Sequence, residues 1–174
     1  MSRWIKCSIA LCIAACASRA PQPARGVPAA PELSVPEDGS KLIFAGRGEG
    51  VQIYSCAPKA DGSGHEWKLK APEAEVAGDT GEKLRHYAGP TWEAPDGSKV
   101  VGEVKARAVA DAAAIPWLLL GAKSTSGAGL LAHARWIQRL DTRGGKTPET
   151  GCDADHAGAE TRIAYSALYR FWGE

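Results

Sequence analysis

The chain lacks the short signatures that mark the common enzyme classes. No G-x-S-x-G occurs in its 174 residues, which removes the simplest serine-hydrolase reading. Ala122 and Trp117 stand where a phosphate-binding loop ending in Lys123-Ser124 needs glycine. The glycine-rich stretch GRGEG, residues 46–50, has no G-x-G-x-x-G spacing. It also runs into the strand-like VQIYSC, whereas a pyrophosphate site needs a helix N-terminus there. The four histidines, His65, His86, His133 and His156, stand singly, without H-x-H or i,i+4 spacing for a metal. Charge is balanced, with 21 Lys+Arg against 20 Asp+Glu, so there is no basic footprint for nucleic acid. No apolar run reaches the roughly 20 residues of a membrane-spanning helix.

A shorter apolar run is present at the N-terminus. MSRWIK carries Arg3 and Lys6, and CSIALCIAACA follows it. This cationic-then-apolar order suits a secretory signal. The run ends in Ile13-Ala14-Ala15-Cys16, which resembles a bacterial lipobox and marks Cys16 for lipidation as the mature first residue. Ala15-Cys16-Ala17 also satisfies the small-x-small rule for ordinary cleavage after Ala17. The lipobox is the more demanding of the two matches. Because Ala17 is not aspartate, the expected address is the periplasmic face of the outer membrane, or the periplasm or medium if cleavage follows Ala17. Loss of Arg3 and Lys6 takes the formal charge from +1 to −1.

Residues 1–16 are thus read as signal, 17–40 as a linker and 41–174 as one domain. The linker holds Pro21, Pro23, Pro28, Pro31 and Pro36 and few large apolar residues, a composition that favours an extended spacer. Beyond the signal only Cys56 and Cys152 remain. On an exported domain two cysteines point to a disulfide, with separate buried thiols as the alternative.

In the domain the apolar pattern repeats mostly every two residues. KLIFAG, VQIYSC, HEWKLK, TWEA, SKVVGEVKARAVA, LLAHARWIQRL and RIAYSALYRFW all read as strands, although the last two also fit a helical period. In SKVVGEVKARAVA the alternation sets Val101, Glu103, Lys105 and Arg107 toward solvent. IPWLLLGA is continuously apolar, as in a strand covered on both faces. Asp61-Gly62, Asp96-Gly97 and the glycines of GAKSTSGAG supply turns. The expectation is an all-β, antiparallel sandwich or barrel of about eight strands with long loops.

The densest motif is HYAGPTWEAPDGSKVVG, residues 86–102. Pro95-Asp96-Gly97 is hairpin chemistry and Trp92 suits a core. This motif, with AIPWLLLGA, WIQRLDTRGG and GCDADHAGAETRIAYSALYRFW, resembles the family called domain of unknown function 3455. Its members are exported bacterial and secreted fungal proteins. The similarity runs from about Gly50 to Phe171, and it implies no established activity. Some fungal members carry a malate dehydrogenase label, which GRGEG does not support.

Two function classes follow. The first is a non-catalytic envelope module, binding or structural, with no cofactor. It would meet the membrane through its anchor and a glycan, small molecule or protein through a site drawn from His86, Trp92, Asp153 and His156. Trp67, Trp117, Trp136, Trp172, Tyr54 and Tyr87 add aromatic surface that could line a sugar-binding face. The second is a metal-dependent or other enzyme whose site assembles from His86, Asp153, His156 and Glu160. CDADHAG is not an EF-hand, since Ala157 and Ala164 replace two ligands. An oxygen site from Asp153, Asp155 and Glu160 is a lesser variant of this class.

Overall fold

The computed structural model describes residues 30–174, so Cys16 and the signal lie outside the described residues. Eight antiparallel strands form one closed barrel: β1 (Lys41–Pro58), β2 (His65–Gly78), β3 (Lys83–Tyr87), β4 (Thr91–Glu93), β5 (Lys99–Ala108), β6 (Trp117–Ser126), β7 (Ala134–Gly144) and β8 (Glu160–Gly173). Each strand pairs with the next in sequence. β8 returns to β1, in register from Lys41↔Gly173 to Ser55↔Glu160. Closure pairs most strand edges, while His65–Glu73 of β2 bonds β1 on one side only, because β3 is short. Of the two architectures the sequence allows, the barrel is the one formed. The long β1 makes this possible, because it pairs along its length with both β2 and β8.

Turns do what their residues suggest. Gly97 has φ +82°, and the Asp96 carboxylate accepts from the backbone N–H of Ser98 at 2.8 Å and of Leu130 at 2.8 Å. Ser98 Oγ in turn accepts from Leu131 N–H at 2.9 Å. The β4–β5 turn thereby grips the β6–β7 connection, and Leu131 is fully buried across that end of the barrel. Phe44, Val76, Leu84, Val100, Ile137 and Phe171 pack in the same half, so one end is solid. GRGEG belongs to this interior. A side chain at Gly48 would lie 2.6 Å from Cε2 of Tyr169, and one at Gly46 would lie 2.6 Å from the Ala77 carbonyl oxygen. The alternate glycines of β1 make room for aromatic rings inside the barrel.

Two sequence expectations change. The linker reading fits poorly from Ala30 onward, where the chain lies against the barrel. Leu33, in a 3-10 turn Pro31–Leu33, is 2% exposed and packs with Trp117, Leu119 and Leu140 on the outer face. Its carbonyl accepts from Gln138 Nε2 at 2.7 Å. This is the second cover that the continuously apolar β6 requires: Leu118 and Leu120 face inward, Trp117 and Leu119 outward.

The other change is on β5. A register shift between Val104 and Ala106 interrupts its alternation. Such a bulge reverses which face the following residues occupy. Ala106 and Ala108 therefore join the outer cluster with Leu33, and Arg107 stays exposed but on the opposite side of the strand from Glu103. Elsewhere the outer face carries ion pairs, among them Lys83–Glu75 at 2.8 Å and Arg162–Glu73 at 2.7 Å. A lipid-facing barrel wall would be apolar in this band.

Candidate functional site

The half of the barrel opposite Leu131 is hollow. It holds a cavity of about 480 Å³ walled by the ends of the strands and by the β7–β8 loop. Barrels of eight strands have interiors just wide enough to be filled by side chains or to hold one small ligand. Here Leu118, Leu120, Ile115 and Trp92 give the cavity apolar walls, and Leu69 and Val104 stand at its mouth, 57% and 40% exposed.

Three rings that line the cavity pack together. His86 on β3 stacks on Trp92 of the partner strand β4, with centroids 4.3 Å apart and planes 5° from parallel. Tyr169 meets both edge-on, at 5.5 Å and 5.7 Å. His86 Nδ1 lies 2.9 Å from the Thr91 carbonyl oxygen. A carbonyl only accepts, so Nδ1 carries the hydrogen and Nε2 is left as an acceptor. Burial lowers the His86 pKa to about 3, and the nearby Arg139 charge acts in the same direction. The ring is neutral at physiological pH. Burial also pushes the Tyr169 hydroxyl well above its ordinary value, and that hydroxyl lies 3.1 Å from the Tyr165 hydroxyl.

Two buried donors beside this lining are unpaired. Gln52 and Trp92 are 2% and 1% exposed, and neither Gln52 Nε2 nor Trp92 Nε1 has a partner. A buried donor left unpaired costs about 1–3 kcal/mol. Arg139 donates from Nε and Nη2 to the Pro116 carbonyl, at 3.2 Å and 2.9 Å. Arg107 and Lys70 also line the cavity, and among the described residues no carboxylate does. Lys70 is ion-paired with Glu160.

The β7–β8 loop is fastened over this end. The Cys56–Cys152 disulfide joins it to β1. Cys56 N–H donates to the Ala159 carbonyl at 2.8 Å, and Gly158 N–H to that of Cys56 at 2.9 Å. Trp67 Nε1 donates to Thr150 O at 2.9 Å and the Tyr54 hydroxyl to Gly145 O at 2.6 Å. Thr147 of the loop lines the cavity.

The residues singled out from sequence divide into two places. His86 and Trp92 line the cavity. Asp153 and His156 lie on the exposed loop, where His156 Nδ1 is 2.7 Å from Asp153 Oδ1. That same oxygen accepts from the N–H groups of Asp155 and His156, capping the 3-10 turn Ala154–His156. The enzyme alternative built on His86, Asp153, His156 and Glu160 therefore does not assemble: one member is inside the barrel and three are outside it. The Asp153, Asp155 and Glu160 variant fails on chemistry, with Asp153 engaged as a cap and Glu160 with Lys70. Among the described residues no three His, Cys, Asp or Glu side chains are grouped to hold a metal ion. Nor do the tryptophans form a sugar-binding face. Trp136 Nε1 donates to Asp38 at 2.8 Å, Trp172 Nε1 to Gln138 at 3.0 Å, and Trp117 lies under Leu33. Of the described tryptophans, only Trp92 lines the cavity.

Sequence reasoning passed over Gln52, Arg107, Arg139 and Tyr169. A signal for two of them existed in strand phase. Gln52 falls in step with Tyr54, and Arg139 with Ile137, so each is a polar side chain on the apolar face of its strand.

Comparison with curated proteins and with solved structures returns no match. A family model does match, over residues 77–173, a span that includes His86, Trp92, Arg107, Arg139 and Tyr169 and leaves out β1 with Gln52 and Cys56. The chain belongs to the family described as protein of unknown function DUF3455.

Proposed function

We propose that the protein is a non-catalytic binding module that takes one small molecule into the open half of its barrel. The observation that carries this reading is a cavity of about 480 Å³ in the open end of the barrel, with mostly apolar walls and the Arg139 guanidinium in its lining. That volume lies in the range of small-molecule sites, which combine mostly apolar walls with a few placed polar groups. The lining supports binding over catalysis, since among the described residues it has no carboxylate and burial makes its one histidine a weak base. The test uses a neutral fluorescent apolar probe, N-phenyl-1-naphthylamine. It should bind the full chain saturably, one per barrel. Val104→Trp, at the rim, should weaken binding at least tenfold while leaving the denaturation midpoint within about 0.5 kcal/mol of wild type. Equal binding by both chains would place the probe elsewhere and remove the support.

The address is part of the same proposal. Ile13-Ala14-Ala15-Cys16 supports a lipid-anchored protein on the periplasmic face of the outer membrane, and a disulfide suits an oxidising compartment. Cys16→Ser should abolish incorporation of labelled fatty acid and move the protein from the membrane to the soluble fraction. A variant that stays labelled and membrane-bound would count against the lipobox.

A further inference from the structure

We propose that the ligand is an amphipathic organic anion, a carboxylate on an apolar body, whose charged group is received by Arg139 inside the barrel. This rests on the binding reading above and adds the chemical class. Arg139 is an inward residue of β7, paired with Leu118 on one side and Tyr169 on the other. It is half-buried, and the Pro116 carbonyl takes Nε and Nη2. A neutral carbonyl does not balance a guanidinium, and among the described residues no carboxylate lies within ion-pair distance of it. A cation kept partly out of water is costly unless a counter-charge meets it. The Tyr169 hydroxyl and the His86 ring beside it are neutral at physiological pH, so the protein supplies no anion there. Arg107 adds a second cation to the lining. The planar guanidinium matches a carboxylate in geometry as well as charge. Leu118 and Leu120 on the wall, with Leu69 and Val104 at the mouth, give the apolar body its contacts.

The bland alternative is that Arg139 only braces β6 against β7 through Pro116. Displacement of N-phenyl-1-naphthylamine from the full chain by decanoate, decanol and decylamine separates the two, because these competitors share one chain length and differ in end group. Decanoate should compete about tenfold better than decanol, and decylamine worse than either. Arg139→Gln should remove the preference for decanoate and leave decanol unchanged, whereas Arg139→Lys should keep part of it. A wild-type chain that takes decanoate and decanol equally would overturn the anion assignment while leaving the cavity reading intact, and this comparison needs no variant. Failure of the naphthylamine probe itself to bind would remove the cavity reading and this inference with it. A preference that survives Arg139→Gln but disappears in Arg107→Gln would overturn the role of Arg139.

Discussion

Replacing both bridge cysteines, Cys56→Ser with Cys152→Ser, should lower the stability of the protein by about 3–5 kcal/mol. The two residues are 96 positions apart. In the chain-entropy account a loop of that length restricts the unfolded chain by about 4.7 kcal/mol, and relaxed native geometry or residual unfolded structure reduces what is measured. The rest of the loop's fastening is hydrogen bonding: Cys56 with Ala159 and Gly158, Trp67 with Thr150, and Tyr54 with Gly145. Each such bond contributes about 0.5–1.5 kcal/mol net. The double variant should therefore still fold into the barrel, with its strand signal in circular dichroism kept. Denaturant midpoints of the oxidised wild type and the variant give the measurement. A loss under about 1 kcal/mol would mean that the hydrogen bonds alone hold the loop, and that the bridge is incidental to the mouth of the cavity.

That bridge shows how far the sequence could be read. The pairing of Cys56 with Cys152 followed from their being the only cysteines beyond the signal, and the all-β class followed from two-residue alternation broken by Asp-Gly and glycine turns, although KLIFAG and VQIYSC are parts of one strand, β1, and β3 was not read. Barrel rather than sandwich was beyond reach, because it depends on β1 bonding β2 along one side and β8 along the other. Alternation also says nothing about where it will be interrupted. The bulge after Val104 brings the exposed Arg107 to the rim of the cavity, and no residue in VKARA announces it. Leu33 looked like an isolated apolar residue in a proline-rich stretch, and its burial depends on the outward Trp117 and Leu119 of a strand over eighty residues later. At the site, HYAGPTWEAPDGSKVVG contributes both things it could have been. Pro95-Asp96-Gly97 is a turn, while His86 and Trp92 stack on the wall of the cavity. The acidic loop 153–156 attracted attention through residue type alone, and its side chains cap their own turn.

His86 yields the second large effect, as a loss of stability in mild acid. Its ring is 3% exposed, and burial holds its pKa at about 3 against an ordinary value of 6.5. A histidine whose folded pKa is depressed behaves oppositely to one gaining an acidic partner. Above about pH 6.5 both folded and unfolded chains carry it neutral, and it leaves stability independent of pH. Below that, the unfolded chain binds the proton and the folded chain does not, so stability falls as pH falls. The slope is about 1.4 kcal/mol per unit for one group, which makes the loss about 2 kcal/mol by pH 5, and it continues until the folded ring itself protonates near 3. Net charge also changes with pH elsewhere on the chain, so the effect is read by difference. Urea midpoints at pH 7 and pH 5 should fall about 2 kcal/mol further in wild type than in His86→Gln, whose side-chain amide can still donate to Thr91 O. A direct reading needs no variant: in proton NMR the His86 ring signals should stay fixed from pH 7 to pH 5. Titration of His86 near 6.5 would mean that water reaches the ring. The half of the barrel assigned here to an apolar ligand would then be wet down to its aromatic cluster, and the neutral surroundings argued for Arg139 would be lost with it.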